Sequence, residues 1–317
     1  FMELICFEQK YEEELIELWN RTMIADPVSI SRFRNQVLFD ENFDRNLCLL
    51  ALTEGRITGF ILGIKRRFPY LERGLEPDRG WISLMFVAEE YRRQGIGTCL
   101  ADEVEKRLSD MGAKTITLAA YSPNYFFPGV DLQAYPEAAA FFEARGYTET
   151  ERSCSMCKDL HGFVISPEWR KKKEEAERKG FVFRNFQWKD ALELLEFAKT
   201  NFGGGWKRNL LLSMRAGEAE DVVTVVLLQD EIVGFAMRKI DGNPMRFGPV
   251  GVCEKVRNAG IGGILFQVKQ QEMCSKGICH LYFLSTDTPG RRFYERHGVN
   301  VYRTYRKYEK SLAGATV

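Results

Sequence analysis

The stretch Val87-Ala-Glu-Glu-Tyr-Arg-Arg-Gln-Gly-Ile-Gly-Thr-Cys-Leu100 recurs later in the chain as Val252-Cys-Glu-Lys-Val-Arg-Asn-Ala-Gly-Ile-Gly-Gly-Ile-Leu265. Each copy contains the pattern Arg-x-x-Gly-x-Gly, and apolar residues at helical spacing follow it, such as Val104 and Leu108 in the first copy. Each stretch therefore predicts a strand that leads through a glycine loop into a helix.

Two further matches occur in the same order along the chain. Residues 47–60 resemble residues 222–235, where two apolar runs flank a polar turn that is typical of a β-hairpin. Ala140-Phe-Phe-Glu-Ala-Arg-Gly-Tyr147 likewise resembles Arg292-Phe-Tyr-Glu-Arg-His-Gly-Val299. Three matches in the same order indicate that the chain is a tandem duplication.

The duplication predicts two domains of the mixed α/β class. The chain has 317 residues, about twice the size of an average domain of roughly 150 residues. We predict an N-terminal domain over residues 2–160, a linker over 161–180 and a C-terminal domain over 181–313. The first copy is longer because it carries two insertions, at residues 66–78 and 121–135.

The predicted linker contains a helix signal. Ser166 is a helix-capping residue, Pro167 suits the first turn, and Gly180 is a typical stop signal. Lysine and glutamate residues interleave between them, which favours a solvated helix face over a binding site for polyanions.

Composition limits the possible partners. Lysine and arginine total 45 and aspartate and glutamate 44, a net charge of +1, which argues against nucleic acid or a membrane as the main partner. The chain lacks an apolar run long enough to span a membrane and begins without a signal-peptide pattern, so we expect a soluble, cytoplasmic protein. The eight cysteines and three histidines lack the spacing of a zinc site, and we predict that no metal is bound.

The glycine loop predicts a site for an anion. A helix N-terminus presents unpaired backbone N–H groups, and glycines let a ligand approach the main chain, so a pyrophosphate is a natural occupant. The Walker A pattern GxxxxGK[ST] is absent, and neither copy completes the dinucleotide pattern GxGxxG.

The paired Arg-x-x-Gly-x-Gly loops, each with its flanking elements, resemble the GNAT (Gcn5-related) acyltransferase family, and the resemblance covers nearly the whole chain. It implies two mixed-sheet domains, each a strongly bent and mostly antiparallel sheet flanked by helices. It also implies that acetyl-CoA binds with its pyrophosphate at the loop and its pantetheine along the preceding strand. The implied cosubstrate-binding residues are Phe86, Val87, Arg92, Arg93, Gln94, Gly95, Ile96, Gly97, Thr98, Val250, Val252, Arg257, Asn258, Ala259, Gly260, Ile261, Gly262 and Gly263.

The resemblance further implies direct attack of an amine on the thioester, with a tyrosine that protonates the leaving thiolate. The family tyrosine falls on Tyr294 in the second copy, whereas the first copy has Phe142 there. Asp287 ends the neighbouring strand and is a candidate to accept the amine proton, although an aspartate before Pro289 also suits a helix cap. The second copy is therefore favoured as the transferase, and the first as a partner that retains the cosubstrate or is partly degenerate.

The insertions of the first copy leave a second possibility open. Asp131, Tyr135 and Glu137 lie in or beside the second insertion and would suit a cationic or hydroxylated acceptor, although such loops also serve in packing. By analogy with tandem members of the family, we expect acetyl transfer to a primary amine of a small molecule such as an amino sugar, by a monomer or homodimer. The alternatives are an acetyl-CoA-binding regulator without turnover and a protein-lysine acetyltransferase.

Overall fold

A computed structural model describes residues 2–312 and confirms the predicted fold class, a mixed α/β protein built from two tandem GNAT-like domains. The predicted end of the second domain, residue 313, lies outside the described residues. No helix among them is long and apolar enough to cross a membrane.

The elements follow one another in the same order in both halves. The strands of the first half are β1 (Met2–Cys6), β2 (Cys48–Thr53), β3 (Arg56–Ile64), β4 (Arg79–Val87), β5 (Thr115–Leu118) and β6 (Thr148–Asp159). Its helices are α1 (Glu12–Thr22), α2 (Ile30–Phe33), which continues into a π-helical turn (Arg34–Leu38), α3 (Ile96–Asp110) and α4 (Pro136–Ala144). The linker contains α5 (Pro167–Arg178).

The second half repeats this order with one extra short helix. Its strands are β7 (Phe181–Asn185), β8 (Val223–Leu228), β9 (Glu231–Arg238), β10 (Phe247–Val252), β11 (His280–Thr286) and β12 (Asn300–Ser311). Its helices are α6 (Ala191–Phe202), α7 (Gly204–Arg215), α8 (Ala219–Val222), α9 (Ile261–Ser275) and α10 (Thr288–Arg296).

The predicted linker helix and both hairpins form. The Ser166 hydroxyl accepts a hydrogen bond from the Trp169 N–H at the start of α5, as expected of a helix cap. Strands β2 and β3 pair antiparallel, and so do β8 and β9. A glycine at the corresponding position of each half lies opposite the last residue of the following strand. Gly59 of β3 pairs with Val87 of β4, and Gly234 of β9 pairs with Val252 of β10. The duplication read from the sequence is thus present in the strand register.

The chain divides into two units, and the last residues of the chain belong to the first unit. The first contains the residues up to Cys154 and those from Arg303 onward, and the second contains Ser155–Tyr302. The end of β12 therefore lies in the sheet of the first unit, between β5 and β6. The predicted boundaries at 160, 180 and 313 follow the duplicated sequence, so they place all of β12 with the second copy.

Each unit has apolar clusters on both faces of its sheet. In the first unit, Trp19 and Phe60 pack on the α1 side, while Leu100 and Val104 of α3 pack on the other. The second unit packs Leu194 of α6 with Phe235 on one side and α9 on the other. The amphipathic pattern that predicted α3 and α9 therefore corresponds to their buried faces.

Candidate active site

The two glycine loops have the same backbone conformation. In the first unit Arg93 and Gly95 adopt left-handed φ values of 63° and 85°, and in the second Asn258 and Gly260 adopt 67° and 78°. Positive φ is easy for glycine and tolerated by asparagine, which explains three of the four residue types. Such alternation turns successive N–H groups toward one point, an arrangement that binds anions.

The helices that follow begin with open N–H groups. Gly95 and Gly260 are the N-caps of α3 and α9, and neither helix start has a side-chain cap. The first helical hydrogen bonds run from Cys99 N to the Gly95 carbonyl (3.0 Å) and from Ile264 N to the Gly260 carbonyl (3.1 Å). The N–H groups of the three residues before Cys99, and of the three before Ile264, are therefore open to a ligand. The helix dipole favours a negative charge there.

The strand before each loop separates from its parallel neighbour. In the first unit β4 pairs with β5 only as far as Ile82 opposite Leu118, and β4 continues to Val87 without β5. In the second unit, among residues 2–312, one isolated parallel bridge joins Arg246, just before β10, to Tyr282 of β11. Both units thus have a gap between diverging strands that leads from the glycine loop into the sheet.

The two gaps differ in how their strands are covered. On the α1 side of β4, Phe86 is buried against Trp19 (ring centroids 5.9 Å apart), which in turn contacts Phe126 of the second insertion (5.1 Å). At the matching position the second unit has Gly251, on which Phe202 of α6 and Trp206 of α7 pack, and residues 248–252 of β10 are all partly exposed. The strand of the second unit is therefore the more accessible of the two.

The loop arginines also differ. Arg92 donates from Nε to the Val87 carbonyl (3.2 Å), and its Nη1 lies 3.5 Å from Glu137 Oε2. Arg257, its counterpart, has no side-chain partner within the described part of the chain and is exposed. A ligand of the first loop would have to compete with Glu137 for Arg92, whereas Arg257 is available.

The side chain of Tyr294 lies beside the gap of the second unit. Its ring packs on Phe247 of β10 (6.2 Å) and on Phe283 of β11 (4.5 Å), one residue past the bridge on each strand. Burial raises the pKa of the Tyr294 hydroxyl, and the nearby Asp287 carboxylate raises this pKa further. The phenol therefore stays protonated at neutral pH and can donate a proton.

Asp287 caps α10. Its Oδ1 accepts a hydrogen bond from the Gly290 N–H (2.9 Å), and the residue is exposed. The capping role that the sequence offered as the alternative is thus present. The charge of Asp287 also acts on the Tyr294 phenol, whose pKa it raises.

Asp131 and Tyr135 belong to a polar network inside the first unit. One oxygen of Asp131 accepts from the backbone N–H groups of Gln133 and Ala134, and the other accepts from Arg303 Nε (2.7 Å). The Tyr135 hydroxyl donates to Asp26, which also binds Arg303. These contacts tie the second insertion to β12, and both carboxylate oxygens of Asp131 are engaged in them.

Sequence reasoning missed several neighbours of these sites. Gly263, predicted to bind the cosubstrate, packs closely on Trp169 of α5, since a Cβ at this position would lie 2.5 Å from the indole ring. His297 lies beside both, and burial, with help from nearby lysines, lowers the pKa of His297 to about 4. The one sequence signal for this contact was Gly263 itself, the additional glycine directly after the Arg-x-x-Gly-x-Gly motif. No sequence signal pointed to the Arg303 network.

The comparisons with known proteins agree with this geometry. Residues 8–126 match the model of the Acetyltransferase (GNAT) family. No curated protein matches the chain. A GCN5-related N-acetyltransferase from Sphaerobacter thermophilus matches with a TM-score of 0.73 at 18% identity, over 98% of this chain and 95% of its own.

Two further structures are tandem or multi-domain proteins. A tandem GNAT protein from the clavulanic acid biosynthesis pathway matches with a TM-score of 0.64 at 13% identity, over the full length of both chains. A GCN5-related glucosamine N-acetyltransferase region in a fungal multi-domain GH3 β-N-acetylglucosaminidase matches with a TM-score of 0.77 at 19% identity, over 98% of this chain. This chain spans 38% of that fungal protein.

The glycine loops and the two-domain architecture are those of a GNAT-like fold, and residues 8–126 match the model of that family. The chain as a whole has the fold of a tandem GNAT protein, and the resemblance read from its sequence is confirmed.

Proposed function

We propose that the second unit transfers an acetyl group from acetyl-CoA to a primary amine of a small molecule, such as an amino sugar. The observation that carries this proposal is the position of Tyr294, which packs on both diverging strands just past their bridge. The partly exposed β10 and the unpaired Arg257 support the choice of this unit. The fungal neighbour with a glucosamine N-acetyltransferase region supports the substrate class.

The residues of this unit then have separate tasks. The N–H groups around Gly260 bind the pyrophosphate of acetyl-CoA, and the free edge of β10 pairs with its pantetheine arm, as in the family it resembles. Acetyl-CoA supplies the thioester that the amine attacks. A backbone N–H of β10 stabilises the charge that develops on the thioester oxygen.

The reaction needs two proton transfers, and they differ in free-energy cost. An alkylammonium of pKa about 10.4 must lose a proton at an energetic cost of about 5 kcal/mol at pH 7, and Asp287 is our candidate to receive that proton. Protonation of a thiolate, whose conjugate acid has a pKa of about 8.5, is a smaller need, worth about 2 kcal/mol. Tyr294 meets this second need.

We propose that the first unit binds acetyl-CoA without transferring its acetyl group. Its glycine loop matches that of the second unit in backbone conformation. In contrast, residues 80–84 and Phe86 of β4 are buried whereas residues 248–252 of β10 are partly exposed, and Phe142 replaces the tyrosine.

Thiol release from acetyl-CoA, measured across a panel of amines, tests the assignment. Tyr294→Phe should lower kcat about 30-fold, which corresponds to the 2 kcal/mol above. The control Tyr125→Phe alters a tyrosine of the first unit and should leave kcat as it was. If Tyr294→Phe retains full activity while Glu137→Gln loses it, transfer belongs to the first unit, and if no amine is acetylated by the wild type, the proposed function is wrong.

A further inference from the structure

Arg246 lies where β10 and β11 separate. Arg246 forms the β-bridge to Tyr282. The Tyr282 N–H donates to the carbonyl of Met245, the residue before Arg246 (3.1 Å). The next residues along each strand, Phe247 and Phe283, face Tyr294.

Because side chains alternate along a strand, Arg246 and Tyr282 point to the opposite side of the sheet from Tyr294. The 5.8 Å distance from the Arg246 guanidinium carbon to the centre of the Tyr282 ring agrees with this placement. Gly251 faces the same side, since a Cβ there would meet Phe202 of α6 and Trp206 of α7. Arg246 therefore lies on the α6–α7 side of the gap.

The charge of Arg246 is buried and poorly paired. The residue is 8% exposed, and its Nε and Nη1 atoms are shielded from solvent with no hydrogen-bond partner within the described part of the chain. The carboxylate that comes nearest in an ion pair, Asp241 Oδ2, is 3.7 Å from Nε, beyond hydrogen-bond distance. A buried cation without hydrogen bonds is costly, so it calls for a ligand.

Another arginine of the same unit shows what a structural role looks like. Arg238 is buried as well and its Nε also lacks a partner among the described residues, but its Nη2 donates to Asp221 Oδ2 (2.7 Å) and lies 3.4 Å from Glu272 Oε1. The first unit has Trp81 at the position of Arg246, and the buried guanidinium carbon of Arg66 lies 4.8 Å from the centre of the Trp81 ring.

We propose that Arg246 binds an anionic group of the acceptor, a carboxylate or a phosphoester, and that the acceptor is therefore an amine that carries a negative charge. Arginine keeps its proton at any physiological pH, so Arg246 cannot serve as the base. Its planar fork of donors matches both anions, and such charge-assisted hydrogen bonds are stronger than neutral ones. The proposal deepens the proposed function and rests on it.

The test compares three acceptors on the full-length protein: glucosamine, glucosamine 6-phosphate and an α-amino acid. The wild type should prefer one of the two anionic amines over glucosamine in kcat/KM, and the preferred one identifies the anion as phosphoester or carboxylate. In Arg246→Met this preference should fall about 10- to 100-fold, chiefly through KM, as expected for the loss of hydrogen bonds to a charged group. Arg246→Lys, which keeps the charge without the fork, should fall between the two.

Arg215→Met removes an exposed arginine of the same unit and controls for net charge. Thermal unfolding of each variant identifies any loss of fold. If the wild type acetylates glucosamine at least as well as both anionic amines, or if Arg246→Met lowers all three rates equally, the inference about Arg246 is wrong while the proposed function stands. Absence of turnover with every amine would instead reject the proposed function itself.

Discussion

Single residues distinguish two sites that share one backbone. Phe86 of the first unit corresponds to Gly251 of the second, Trp81 to Arg246, and Thr98 to Gly263. Each difference changes what lies beside the glycine loop or the gap between strands. In the first unit these side chains fill the space themselves. In the second unit rings from other helices (Phe202, Trp206 and Trp169) pack on the glycines, and Arg246 brings in a charge. The backbone therefore provides the site, and these residues decide its use.

Gly263 is the sharpest case for a stability test. In Gly263→Ala the new Cβ would lie 2.5 Å from the Trp169 ring and 3.0 Å from His297, so α5 or α9 must shift. Crowding of this kind costs about 1 to 3 kcal/mol, and the midpoint of thermal unfolding should fall by several degrees.

The matched control is the preceding glycine of the same helix turn. A Cβ at Gly262 would have its closest neighbour, Val252, at 3.9 Å, so Gly262→Ala has room and should gain helix propensity. Equal unfolding midpoints for the two alanine variants would contradict the proposed packing of Trp169 on Gly263.

The insertions of the first unit are fixed elements with their own polar interior. Tyr121 is fully buried, and its hydroxyl donates to Asp40 Oδ1 (2.9 Å) and accepts from Asn42 Nδ2 (2.9 Å). The Asn42 side-chain oxygen in turn accepts from the N–H groups of Arg67 and Phe68 in the first insertion. One asparagine therefore joins both insertions, which favours packing as the main role of these loops.

Tyr121→Phe tests this joint. The change leaves Asn42 and Asp40 each short of a buried partner, which should cost about 1 to 3 kcal/mol of stability. We expect a lower unfolding midpoint and faster protease cleavage within residues 121–135.

Tyr125→Phe is the control in the same loop, since the Tyr125 hydroxyl has no hydrogen-bond partner among residues 2–312. Should Tyr121→Phe be cleaved no faster than this control, the Tyr121 hydroxyl does not hold the loop in place.

At the scale of the whole molecule, local signals were readable in the sequence and long-range pairings were not. The hairpins at Glu54 and Asp230, the α5 cap at Ser166 and both glycine loops depend on neighbours a few residues away, and all of them form. The position of β12 in the sheet depends on its pairing with β5 and β6, which are distant in the sequence, and no local sequence pattern predicts such pairing. For the same reason the Arg303 network and the poor pairing of Arg246 became visible only in the structure.

Because the end of β12 belongs to the first unit, we can predict which parts of the chain fold on their own. Within the first unit, Thr148 Oγ1 contacts the Glu309 carbonyl (3.5 Å) and Thr150 Oγ1 contacts the Lys307 carbonyl (3.3 Å), so β6 and β12 run antiparallel. Continuing this register places residue 154 opposite residue 303. A two-residue Asn-Gly turn between them would therefore close an ordinary hairpin.

A chain of residues 2–154, Asn-Gly and residues 303–312 should consequently fold by itself, with a cooperative thermal transition. Residues 2–160 alone should not, because they lack the strand beside β5 and leave Asp131 buried without Arg303. In the fused chain, Arg303→Met should lower the unfolding midpoint, since it removes the partner of Asp26 and Asp131. A cooperative transition in the 2–160 fragment would show that the first unit does not depend on the end of the chain.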